Sequence, residues 1–217
     1  MTEGIITFSF DDGSPGWMLG AKILEKYGFK GTFNVAVNFI RKRTNELVVV
    51  PLDRTIHQNN LITLQKRGHE IACHGLRHVN LRRCNDVELH YELVGSKRIL
   101  TSLGLNVTSF TCPFNAYTTE IKTEALKHYT SFRVECGVNS LPVTKNYYRV
   151  FHGSPLKECK DAVKDAVRSN KWVVLLFHNV KKDNTDPFSF DAGEFEELVS
   201  FVADTGVPVR KVNEMIP

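Results

Sequence analysis

The strongest constraint in this sequence is an alternation that runs its whole length. Short apolar runs of strand size are separated by longer segments with amphipathic helical spacing. The runs are 4–10 (GIITFSF), 31–37 (GTFNVAV), 69–73 (HEIAC), 107–114 (VTSFTCPF), 131–135 (SFRVE), 147–151 (YYRVF), 172–177 (WVVLLF) and 207–212 (VPVRKV). Between them, a first helix is expected from an N-cap at Ser14, with Pro15 in its first turn, to about Tyr27 and Gly28. Further helices are expected over 59–67, ended by Gly68, over 85–103, and over 118–129, 156–170 and 191–204. The stretch 38–56 reads as irregular. Strands separated by crossover helices pair in parallel, and about seven or eight such units favour closure into a barrel. No repeat, low-complexity tract or linker interrupts the pattern, so 1–217 is expected to be one domain of the α/β class.

Composition removes several alternatives. Hydrophobic residues are 42% and charged residues 24%, as in an ordinary soluble protein. No apolar stretch approaches the ~18 residues that span a bilayer. The first strand begins by Ile5, with no basic-then-apolar leader before it, so a cytoplasmic protein is expected unless a leader has been removed. The net charge is +4, and the one tight basic cluster, 41–43 (RKR), is too short for a nucleic-acid groove and reads as an exposed loop. Five cysteines without CxxC spacing argue against a disulfide framework or a cysteine zinc site. The sequence does not specify an oligomeric state.

In parallel barrels, chemistry sits where strands end and loops begin. Asp11-Asp12, His74, Pro113-Phe114 and His178 all follow strand candidates, which places them on one rim. His74 and His78 have a common divalent-metal spacing, with zinc favoured by imidazole ligands. Gly75 stands where an HExxH metalloprotease needs its glutamate, which excludes that class. Two neutral histidines want a third, anionic ligand, and one of Asp11 and Asp12 suits; the other then stays ionised beside it, facing the water. Pro113 fixes the chain direction so that the Phe114 amide points into the rim as an oxyanion donor. His178 has the near-neutral pKa suited to protonating a leaving amine. Taken singly, each feature has a plainer reading as a turn, a surface pair or a structural histidine; their common rim favours chemistry. Trp17, Phe39, Phe114 and Tyr117 are candidates for a sugar-stacking platform.

The ordered motifs FDDG (10–13), HGLRH (74–78), FTCPF (110–114) and LFH (176–178) resemble those of the polysaccharide deacetylases of carbohydrate esterase family 4. The resemblance implies a distorted (β/α)7 barrel and a hydrolase that removes N-acetyl groups from chitin- or peptidoglycan-like glycans. It implies a divalent metal, zinc foremost, held by Asp12, His74 and His78. Asp11 then matches the base, His178 the acid, and the Phe114 amide the oxyanion donor. Leu176 would line the acetyl pocket, with Pro113 and Tyr117 also facing the substrate. An acetylated glycan is the implied partner. A xylan-type O-acetyl esterase is a close variant, and a non-catalytic glycan-binding barrel the alternative class; the presence of both Asp11 and His178 favours the enzyme.

Three departures from the family pattern follow. Gly75 replaces a Ser or Thr and removes its loop hydrogen bond. Thr111 replaces an arginine that pairs with the base, so Asp11 is expected to lack that partner. The acidic, tryptophan-bearing motif that orients the acid has no match in 135–155, where Arg149 or His152 is the candidate replacement.

Overall fold

The computed structural model describes residues 4–42, 54–152, 155–182 and 187–216. Strand β1 (Ile5–Asp12) shows how the sequence builds the architecture. Successive side chains of a strand point to opposite faces. Ile6, Phe8 and Phe10 face outward into the main apolar core, where Phe8 and Phe10 pack edge-on against Phe195 at 5.9 and 5.8 Å. Thr7, Ser9 and Asp11 face inward.

Six more parallel strands follow in chain order: β2 (Thr32–Val35), β3 (Glu70–Cys73), β4 (Ser109–Thr111), β5 (Ser131–Cys136), β6 (Tyr147–His152) and β7 (Lys171–Phe177). Strand β7 pairs back onto β1 from Ile5↔Trp172 to Phe10↔Phe177, and the sheet closes into a seven-stranded parallel barrel. The helices are α1 (Trp17–Lys26), α2 (Gln58–Lys66), α3 (86–102), α4 (Thr119–Ala125), α5 (Leu156–Ser169) and α6 (Ala192–Thr205). Helix α3 contains a π-helical turn over Tyr91–Gly95. No helix among the described residues is long and apolar enough to cross a membrane.

Two expectations change. The first helix begins at Trp17 with Gly16 as its N-cap, and Ser14 does not cap it. The Ser14 hydroxyl instead donates across the barrel seam towards the His178 carbonyl and Asn179 Oδ1. Gly16 is required there, because a Cβ would lie 2.0 Å from Asn179 Oδ1. The segment 207–212 does not form an eighth barrel strand. It makes one bridge, Ile6↔Val209, because the short β2 pairs with β1 only over Ser9–Asp12 and leaves the edge at Ile6 open. Within 38–56, Ile40–Arg41 pairs with Ile56–His57; residues 43–53, including Arg43 of the basic cluster, lie outside the described residues.

The barrel interior is largely polar. Thr7, Ser9, Thr32, Asn34, Ser109, Thr111 and Ser131 are fully buried, and Tyr148, Val150, Trp172, Val174 and Leu176 form an apolar wall on the β6–β7 side. At the strand N-termini, buried Glu70 accepts from Ser109, Thr32 and the Asn213 amide, and burial pushes its carboxyl up. The fully buried Val212 closes that end, donating its N–H to Thr32 Oγ1.

Candidate active site

The opposite end of the barrel gathers the candidate site residues. Strand alternation alone would send Asp11 inward and Asp12 outward. Asp12, however, has φ 81°, a left-handed conformation that costs a non-glycine residue about 1–2 kcal/mol. The turn returns its carboxylate to the same rim, and Asp12 Oδ1 lies 3.1 Å from His78 Nε2 and 3.6 Å from His74 Nε2. His74 follows β3, and its Nδ1 lies 2.8 Å from the Thr111 carbonyl. A carbonyl only accepts, so Nδ1 carries the proton and Nε2 keeps its lone pair. The His78 ring is flanked by Phe39 and Phe114 at 5.6 and 4.6 Å.

Asp12 Oδ1 is buried and makes no hydrogen bond of acceptable geometry. A buried anionic oxygen without a donor is costly. Here it faces two imidazole nitrogens, and one donor atom from each of Asp12, His74 and His78 lies within 4.8 Å of the others. An oxygen and two neutral nitrogens of this kind fit a divalent cation.

Asp11 is held differently. Arg133 donates Nη1 to Oδ1 at 2.9 Å and Nη2 to Oδ2 at 2.6 Å, and Asn34 Nδ2 donates to Oδ1 at 2.8 Å. Thr111 Oγ1 donates to Asn34 Oδ1 and so holds the amide in that orientation. The expected loss of an arginine partner is therefore overturned. Arg133 stands opposite Thr111 in the β4–β5 register and supplies the guanidinium from the neighbouring strand. Burial pushes the Asp11 carboxyl up, but Arg133 and His74 outweigh it and hold the group below the ordinary carboxylate range. Arg133 and Asn34 were missed in the sequence; their signal is one polar residue in each of two otherwise apolar strand centres, SFRVE and TFNV.

His178 follows β7. Its carbonyl accepts from Trp17 Nε1 at 2.9 Å, so the fully buried Trp17 anchors this residue and lies outside any sugar platform. Burial pushes the His178 imidazole down from its ordinary value, opposed by Asp11 and Asp12. Of the two replacement candidates, His152 packs beside it, with ring centroids 5.9 Å apart. Arg149 pairs instead with Glu135.

A cavity of about 510 Å³ opens over Asp11, Asp12, His74, His78, Phe114, Leu176 and His178, with Phe39, His152 and Phe188 on its walls. Phe114 and Asn115 have φ 56° and 51°, which turns the 66%-exposed Phe114 ring into the cleft. The same turn carries Tyr117 away from the expected substrate face. It packs on Phe132 at 5.3 Å and is absent from the cavity lining. Pro113 is buried beneath the rim, near Gly75, and does not line the cavity either.

The polysaccharide deacetylase family model matches residues 1–131. Comparison with curated proteins gave no match. Several solved structures share the fold. One is the Xyl-CE4 domain of a multidomain xylanase from the hindgut metagenome of Trinervitermes trinervoides, with TM-score 0.64 and 17% identity over 98% of this chain and 89% of that one. A peptidoglycan deacetylase from Bacillus subtilis gives 0.63 and 18% over 98% and 90%. The catalytic domain of a peptidoglycan N-acetylglucosamine deacetylase from Eubacterium rectale gives 0.65 and 18% over 99% and 91%.

Proposed function

The chain belongs to the polysaccharide deacetylase family, and on that premise we propose that it is a metal-dependent hydrolase removing N-acetyl groups from a chitin- or peptidoglycan-like glycan. The observation that carries this reading is the convergence of Asp12, His74 and His78 on one point, with an ionised second carboxylate, Asp11, beside it. A module that only binds sugar can hold a metal, but it has no use for the second carboxylate. Among divalent ions, zinc is the one an imidazole pair favours.

Amide carbonyls are poor electrophiles and amines poor leaving groups. A divalent cation on Asp12, His74 and His78 supplies the polarisation of the acetyl carbonyl and a more acidic water. Asp11 takes the proton from the attacking water, oriented for this by Arg133 and Asn34. The Phe114 N–H donates to the carbonyl oxygen as it gains charge. His178 then gives a proton to the departing nitrogen, with Trp17 and Ser14 fixing its backbone. Leu176, at the cavity floor beside His152, offers an apolar surface for the acetyl methyl.

The test is acetate release from a panel of N- and O-acetylated oligosaccharides, with added zinc and after chelation. Zinc-restored release from N-acetylated sugars is expected. Asp11→Asn should lower it at least about 100-fold while leaving zinc uptake unchanged. Release confined to O-acetylated xylan would replace the amidase reading with an esterase. No release from any zinc-loaded sample would overturn both.

A further inference from the structure

The loop between the two histidines, 75–77, is firmly held. Leu76 N–H and Arg77 N–H both donate to Glu92 Oε2, at 2.7 and 3.1 Å. Arg77 Nε donates to Glu92 Oε1 at 2.8 Å. Glu92 is fully buried and belongs to the π-helical turn of α3. Such turns insert one extra residue and occur often at functional sites. Two buried carbonyls of the turn accept from side-chain hydroxyls: Ser96 Oγ donates to Glu92 O and Tyr129 Oη to Leu93 O.

From the other side, Val37 N–H and Asn38 N–H donate to the carbonyls of Gly75 and Leu76. The loop's amides are thus held by Glu92 and its carbonyls by 37–38, with His74 and His78 at its two ends. Gly75 belongs to the same device. It has φ 81°, and a Cβ there would come within 2.9 Å of Glu92 Oε2. The side chain missing at 75 is the space that the carboxylate uses.

We infer that Glu92 is a positioning residue that fixes the spacing of the His74/His78 pair, and that Gly75 is required because a Cβ there would meet the Glu92 carboxylate. The inference rests on the reading that Asp12, His74 and His78 hold a metal. Glu92 touches none of these side chains in the contacts above; it acts through the backbone of the loop between them. Groups hydrogen-bonded directly to a metal ligand typically change metal affinity by about 10–100-fold; one acting through the backbone belongs at or below the low end of that range.

Zinc itself is the probe, titrated against a chromophoric chelator to give Kd, alongside urea unfolding of the metal-free proteins. Glu92→Ala should weaken zinc binding by up to about 10-fold, the low end of the range for direct partners of a ligand. Glu92→Gln keeps the side-chain volume and one amide oxygen for Leu76 and Arg77, so it should fall between Glu92→Ala and wild type. Should Glu92→Ala fail to fold, Glu92→Gln carries the test alone. Gly75→Ala should weaken zinc binding in the wild-type background, and by a smaller factor once Glu92→Ala has vacated the space. Kd within twofold of wild type in a folded Glu92 variant, with only the urea midpoint lowered, overturns the positioning role. No saturable zinc uptake by the wild-type protein overturns the metal site, and this role with it.

Discussion

Asp11 and Asp12 are neighbours in sequence, but each has its own electrostatic environment. Asp12 keeps an oxygen without a donor and faces two imidazoles, while both Asp11 oxygens are taken by Arg133. At Asp11 the Arg133 guanidinium offsets the cost of burying a charge, while Asp12 is turned away from its neighbour towards the imidazole pair. That the pair needs partners was legible in FDDG, because consecutive charges at a strand end call for them. Which cation faced Asp11 was not legible, since Arg133 lies 122 positions away and only the β4–β5 register brings it to the site. Arg133→Met would leave Asp11 buried with Asn34 as its remaining donor among the contacts described above. Breaking a buried pair from one side costs about 3–5 kcal/mol, to be read as a lowered urea midpoint. An unchanged midpoint would mean that water enters and solvates Asp11.

At the scale of elements, the boundaries departed most from the sequence reading, and for a common reason. Ser14 and Pro15 have the local chemistry of a helix start, but Ser14 is claimed by the opposite side of the barrel seam, so tertiary contact overrides local preference. A second cross-element contact gives a pH prediction. His69, just ahead of β3, accepts from the Gly31 N–H at Nδ1, and its Nε2 meets Glu25 of α1. Arg67 and Lys30 also face Glu25. Burial pushes His69 down from its ordinary 6.5, only partly opposed by Glu25, with Lys30 and Arg67 lowering it further. Protonating Nδ1 would remove the acceptor for Gly31. The native state therefore binds fewer protons than the unfolded chain below about pH 6.5. This contribution is complete above that pH and is lost as pH falls towards the depressed native value. Urea midpoints should drop between pH 7.5 and 5.5, and His69→Gln should flatten part of that slope; an unaltered slope would assign it to other groups.

At the scale of the molecule, the alternation of runs made a parallel barrel of about seven or eight units legible, together with the common rim, while the count of seven came from the family resemblance. The eighth run was misread because VPVRKV has strand composition, whereas the open edge it meets is about one residue long. That segment still closes the far end. Removing 208–216 takes away the buried Val212 and the donors to Thr32 and Glu70. The loss is at least about 4 kcal/mol from one buried valine and these two hydrogen bonds alone, or roughly 10 °C or more in melting temperature for a chain of this size. A shift under 2 °C would show that the barrel end closes without it. The seam between β1 and β7 also sets an order of events on the ribosome. Asp11, Asp12, His74 and His78 are all made within the first 78 residues, whereas His178 arrives a hundred residues later and is fixed only when Ser14 and Trp17 close on it. On the proposed function, a nascent or prematurely ended chain therefore carries the residues proposed to hold the ion without the proposed proton donor, and the full set is assembled with the last parallel strand.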